Sequence, residues 1–132
     1  MAIPREAAVA CVRALVGAVE RSGLRVGFPV ELRVVAADDV ALSTASGRDS
    51  AYIAVHLPAG QDTAAYFGLV QSITDEVGGR PHWGKLHDLD AAALATRYPR
   101  FGEFVAQRDV VDPTGVFANA YLDRVLGPPP RR

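Results

Sequence analysis

This chain is poor in lysine, in cysteine and in long apolar runs, and each shortage excludes something. One cysteine, Cys11, cannot close an internal disulfide and leaves no thiolate cluster for a metal. Set among Val9, Val12 and Leu15, it reads as a buried, inert thiol. No apolar run approaches bilayer-spanning length, and no basic stretch followed by an apolar one opens the chain. A cytoplasmic protein, at most peripheral to the inner face of a membrane, is the expectation. Neither sign of charge prevails: 14 basic against 15 acidic residues give a net charge of -1, no electrostatic reason to expect nucleic acid as partner. Dinucleotide, P-loop, nucleophile-elbow and zincin motifs are all missing.

What is there concentrates in one place. Of the 14 basic residues only Lys85 is a lysine. An ammonium is a compact point charge on a flexible stem, whereas a guanidinium is a planar fork, so this exception to an arginine-rich chain carries different chemistry. Lys85 stands in Gly78–His87 (GGRPHWGKLH), which also holds two of the three histidines and the only tryptophan.

With 132 residues, 49% apolar, the chain fits one domain with a modest core. Pro4 predicts a helix start, with Val9, Val12, Val16 and Val19 as its inner stripe and Ser22-Gly23 as its stop. Residues 27–37 predict a half-buried strand in which Val30, Leu32 and Val34 alternate with Glu31 and Arg33. Residues 51–57 predict a second strand. Asp62 or Thr63 can cap a helix with Phe67, Val70, Ile73 or Thr74, and Val77 inside, ended by Gly78-Gly79. A short extended stretch is expected over 80–86, then helices over 90–97, 101–109 and 118–126, with a turn at Asp112-Pro113-Thr114-Gly115. The order is helix, strand, strand, helix, short strand, helices. That is α+β, an antiparallel sheet with helices on one face.

Four features could carry chemistry. Glu31 and Arg33 share a strand face; they are either a solvated surface pair or a polar cluster lining a cleft. His56 closes an apolar strand, where a histidine is most often structural. His82 and His87 flank Lys85, but five residues apart they suit no zinc spacing, and no metal is expected. Asn119 precedes Ala120-Tyr121-Leu122 and reads as a helix cap.

Several segments together resemble a known family. They are Phe28-Pro29-Val30-Glu31-Leu32-Arg33, Ala36-Ala37-Asp38-Asp39, Gly47-Arg48-Asp49, Tyr52-Ile53-Ala54-Val55-His56, Gly79-Arg80-Pro81-His82-Trp83-Gly84-Lys85, Tyr98-Pro99-Arg100-Phe101 and Phe117-Ala118-Asn119-Ala120-Tyr121-Leu122. They are similar to the C-terminal part of the FAD-linked aldonolactone oxidases and dehydrogenases and the alditol oxidases. The likeness runs from Pro4 to Gly127. Its most specific parts are the HWGK block and the later DP-x-G-x-F-x-N-x-Y-L pattern.

The resemblance implies the cap fold of vanillyl-alcohol-oxidase-type flavoproteins, followed by a helical segment that packs on a flavin domain. Residues 1–88 would be cap, 89–127 the helical segment and 128–132 a disordered tail. Carried over by position, Glu31, Arg33 and His56 would bind substrate, Lys85 and His82 would serve catalysis, and Lys85 with Asn119 would meet the flavin. The implied substrate is a sugar lactone or polyol. Ile53-Ala54-Val55-His56 looks more like the gulonolactone dehydrogenases, which favours a lactone. The flavin domain falls outside the matched segments, so the chain alone is expected to bind no FAD. A separate FAD-binding subunit is one candidate partner. A second copy is another, docked through Phe101, Phe104, Phe117 and Tyr121. The alternative is a non-catalytic interaction module derived from such an enzyme.

Overall fold

In a computed structural model, which describes residues 1–130, three strands and five helices follow the order β1 (Ala2–Pro4), α1 (Ala8–Ser22), β2 (Glu31–Val35), β3 (Ser50–Ala54), α2 (Ala64–Asp75), α3 (Ala91–Ala95), α4 (Phe101–Val111) and α5 (Ala120–Leu126). All strand pairings are antiparallel and the sheet order is β1-β3-β2. Arg80 adds a one-residue antiparallel bridge to Ala2 on the outer edge of β1. The sequence of elements up to that bridge is therefore β-α-β-β-α-β, a split βαβ arrangement. The expected α+β architecture holds.

Pro4 ends β1 rather than starting a long helix; one 3-10 turn, Arg5–Ala7, links it to α1. The α1 stripe also sits differently from expectation. Ala8, Cys11 and Leu15 are buried, Val12 and Val19 pack partly, while Val9 and Val16 are 60% and 51% exposed. At 100° per residue Val9 and Val16 lie about 100° or more around the helix from Leu15 and Cys11, which face Val70, Ile73 and Thr74 of α2. Cys11 is buried as expected, and burial pushes its thiol pKa up, helped by the nearby Glu76.

Helices α1 and α2 pack over β1 and β3 and leave β2 bare. Residues paired across antiparallel strands share a face, so Ile3, Ala51 and Val34 form one row toward the helices. Ile3 and Ala51 are fully buried, yet Val34 is 61% exposed. The half-buried β2 expected from alternation is thus exposed on both faces, because the helical layer stops short of it.

A second apolar cluster gathers Leu94 of α3, Phe101 of α4, Val125 and Leu126 of α5, and Leu89 and Tyr98 from the segments flanking α3. Phe101, expected on an uncovered surface, is inside it; Phe117 is exposed. Asp90 caps α3, its carboxylate accepting from Ala93 N at 2.9 Å. The Asp112–Gly115 turn forms as read, Gly115 N donating to Asp112 O at 3.1 Å with Gly115 at φ +68°. The stretch over 80–86 is not a strand beyond Arg80. Pro81 has no N–H to pair, and His82–Lys85 closes a turn instead, Lys85 N donating to His82 O at 3.0 Å. Of the expected tail, 131–132 lie outside the described residues, and Pro129 lies beside Gly115.

Candidate functional site

The sheet face turned away from α1 and α2 is polar toward β2. Glu31 and Arg33 point that way together, and the Arg33 guanidinium donates to the Glu31 carboxylate at 2.6 Å. Both are solvent-accessible, so the pair costs little desolvation and adds little stability. The cross-strand neighbour of Arg33 is Tyr52, whose hydroxyl hydrogen-bonds Thr44 Oγ1. Thr44 belongs to a loop that Asp38 organises: its carboxylate accepts from Val40 N at 3.0 Å and from the Ser43 hydroxyl at 2.5 Å.

That loop also anchors the Lys85 segment. Trp83 Nε1 donates to Leu42 O at 2.8 Å, and the Arg80 guanidinium donates to Thr44 O and Ser46 O at 3.2 and 2.7 Å. The polar strand face and the lysine-bearing turn are therefore held by one loop, 38–46. Within the turn, His82 Nδ1 accepts from Gly84 N at 3.1 Å, so the neutral ring carries its proton on Nε2, free to donate outward. Lys85 is exposed, and its ammonium has no ion-pair or hydrogen-bond partner among the described residues.

Lys85 lies on the rim of a depression of about 480 Å³ floored by Trp83, His87, Tyr121 and Arg124. The Tyr121 hydroxyl donates to Trp83 O. Its oxygen is then left to accept from His87 Nε2 at 3.3 Å, which places the His87 proton on Nε2 and leaves Nδ1 buried without a partner among the described residues. Burial lowers the His87 pKa, the Arg124 cation lowers it further, and Asp88 offsets part of this. Arg124 sits 5.3 Å from the Tyr121 ring centroid and donates to Leu89 O at 2.6 Å.

Of the residues singled out from the sequence, Glu31 and Arg33 meet on one face, and His82 and Lys85 share one turn. His56 stands exposed two residues beyond the end of β3. Asn119 caps α5, its side-chain oxygen accepting from Leu122 N at 3.0 Å. Its amide N–H groups, which the cap does not use, remain as donors for another partner. Tyr52, Thr44 and Arg124 were not identified as site residues from spacing; the sequence presents His87 only as a candidate zinc ligand, and Tyr121 only as part of a helix start and of an aromatic docking surface. Only the alternation that puts Tyr52 on the face of its β3 neighbour Ala54 was a local signal; the rest are tertiary meetings. No three histidine, cysteine or acidic side chains converge as a metal site among the described residues.

Comparison with known proteins covers almost the whole chain. The family model for D-arabinono-1,4-lactone oxidase matches residues 1–125. The chain is 50% identical over 127 residues to an L-gulono-1,4-lactone dehydrogenase of Mycobacterium tuberculosis, covering 96% of this chain and 30% of that protein. It is 40% identical over 130 residues to an L-gulonolactone oxidase of Bos taurus, covering 95% and 30%. An alditol oxidase of Streptomyces is 38% identical over 99 residues, covering 73% and 23%. The chain thus spans about 30% of the length of the first two relatives.

Proposed function

The chain belongs to the D-arabinono-1,4-lactone oxidase family, and from that premise we propose that it is the substrate-binding C-terminal portion of an FAD-dependent oxidoreductase acting on a CH–OH group of a sugar lactone. Residues 1–88 serve as cap, and residues 89–127 are the segment that meets a flavin domain. The 50% identity with an L-gulono-1,4-lactone dehydrogenase supports a lactone over an open-chain polyol.

The observation that carries the reading is the free ammonium of Lys85, fixed on a turn that shares its anchoring loop with the Glu31–Arg33 face. A lysine kept out of any ion pair is available to a ligand, and a cation beside an oxygen that gains negative charge stabilises that charge. Glu31 and Arg33, one acceptor and one fork of donors, suit neighbouring hydroxyls and fix the ring's orientation. His56 adds a further polar contact to the substrate. His82, donating through Nε2, orients the reacting hydroxyl.

Lys85, with an exposed cation, and Asn119, with its amide N–H groups, are the residues that would meet FAD, the cofactor of the family. When bound, FAD supplies the acceptor for the hydride that leaves the substrate carbon. This chain's residues hold the substrate and steady the charge that develops on its oxygen as the hydroxyl proton passes to a base.

The test is a chimaera in which this chain replaces the matching 30% of the Mycobacterium tuberculosis dehydrogenase. Lactone oxidation with bound flavin is expected, and Lys85→Ala should lower kcat per bound flavin by about 100-fold or more. A flavin-loaded chimaera that oxidises neither lactones nor alditols would overturn the reading in favour of a non-catalytic module.

A further inference from the structure

The outer edge of β2 is open. Met1 and Ile53 exchange both backbone hydrogen bonds at 2.9 Å, so the amide groups of Ile53 face β1. Alternation then turns Tyr52 and Ala54 toward β2, where they meet Arg33 and Glu31. The N–H and C=O groups of Leu32 and Val34, and of Val30 as the extended chain enters the strand, consequently point away from the sheet. No backbone partner meets them among the described residues. Pro29, one residue earlier in the alternation, would turn its missing N–H inward and so does not blunt this edge. Nor does any helix cover it: Phe28, Val30, Leu32 and Val34 are 37–61% exposed. A bare edge with apolar side chains is a template for another strand.

We propose that this edge binds the same edge of a second copy of the chain, antiparallel and centred on Leu32. The charge order selects that occupant. In a two-fold pairing about Leu32, Leu32 exchanges backbone bonds with Leu32 of the second copy and Val34 with Val30. Glu31 lies directly opposite Arg33 of the second copy, in the closer, non-hydrogen-bonded position. The strand is self-complementary: apolar faces apolar on one side of the sheet, and each charge meets its opposite on the other. Two three-stranded sheets become one six-stranded sheet. The four charges at the junction alternate in sign, because the Glu31–Arg33 pair already present in each chain is matched across the two-fold axis. A strand from an unrelated partner would have to reproduce this order; a second copy supplies it by symmetry. The proposal shares Glu31 and Arg33 with the catalytic reading but is read out by mass and amide exchange rather than by turnover, and it differs from the aromatic surface expected from the sequence.

The measurement is the mass in solution by light scattering across a dilution series, with two charge variants. The unaltered chain should run at twice the 14.0 kDa chain mass. Arg33→Glu places Glu against Glu, and Glu31→Arg places Arg against Arg, so each variant alone should run as a monomer. An equimolar mixture should recover the dimer, because every charge then faces its opposite. Neither variant can make the internal ion pair, so recovery reads the contact between copies alone. Amide exchange at Leu32 and Val34 should be slow in the unaltered chain and in the mixture, and fast in either variant. Both substituted side chains are solvent-accessible, and unchanged circular dichroism would confirm that the variants fold. A monomeric unaltered chain, a variant that stays dimeric, or a mixture that stays monomeric would each overturn the proposal.

Discussion

His87 is the one histidine of the three that folding takes out of water. Its ring meets the Tyr121 ring edge-on at 6.1 Å between centroids, and burial first, then the nearby Arg124 cation, hold its pKa below the usual 6.5. An unfolded chain takes up the proton near pH 6.5, whereas the folded chain takes it up only at lower pH. The contribution is therefore full above the unfolded value and is lost as the pH falls through the folded one. The urea midpoint should fall between about pH 6.5 and 5, before most carboxylates titrate, on top of a slope of the same sign that begins near pH 8, where burial lowers the pKa of the Met1 amine from 8.0. His87→Gln keeps an N–H for the Tyr121 hydroxyl but cannot titrate, so its midpoint should be flatter over that interval. Equal slopes for the two proteins would remove His87 as the cause.

At the scale of elements, the helix ends carry separable roles. Asn119 caps α5 through its side-chain oxygen, so Asn119→Ala should lose about 1 kcal/mol of stability in urea unfolding. Asn119→Asp retains the cap oxygen and removes the amide donors. If the amide meets flavin in the proposed chimaera, Asn119→Asp should weaken flavin retention with stability nearly unchanged; unaltered retention would confine Asn119 to capping. The Asn119 cap was legible in the sequence because it depends on residues three apart, whereas Thr63, one of two candidates for capping α2, makes no side-chain cap bond. Legible too were α2 itself, its Gly78-Gly79 stop and the Asp112 turn. Gly79 is required there, since a Cβ would lie 2.7 Å from Thr74 O. The facing of α1 was not legible: apolar residues at 8, 9, 11, 12, 15, 16 and 19 form a stripe wider than the sheet it rests on, and periodicity cannot tell centre from flank. The same limit hid the bare β2, because alternation reports two faces but not whether a helix arrives to cover one. For the site, Lys85 stood out by composition. Its link to the Glu31–Arg33 strand runs through Tyr52–Thr44 and Trp83–Leu42, contacts between residues 8 and 41 apart with no local pattern.

At the scale of the molecule, two apolar clusters have to be held in register, and Arg80 lies between them. Its backbone exchanges two hydrogen bonds of 2.7 Å with Ala2 beside the first cluster. Its guanidinium donates to Arg97 O at 2.6 Å and to the carbonyls of Thr44 and Ser46, and it stands 5.1 Å from the Tyr98 ring centroid in the second. At 4% exposure none of these acceptors can exchange the guanidinium freely for water. A lysine cannot span three carbonyls with one ammonium, so Arg80→Lys should cost about 3 kcal/mol and Arg80→Ala at least as much. The two clusters also offer independent reporters: Trp83 fluorescence for the second and Cys11 thiol labelling for the first. In the unaltered protein both transitions should coincide along a urea series, because Arg80, through its backbone to β1 and its guanidinium to the loop 38–46 and the chain after α3, ties the three into one cooperative unit. In Arg80→Ala the Trp83 transition should come first, since the second cluster then keeps only the link from Arg97 to Asp75 and Gly79 O, at 2.9 and 2.5 Å, as its charged tie to the end of α2. Coincident transitions in that variant would mean that apolar packing alone couples the clusters, and that Arg80 adds stability without transmitting it.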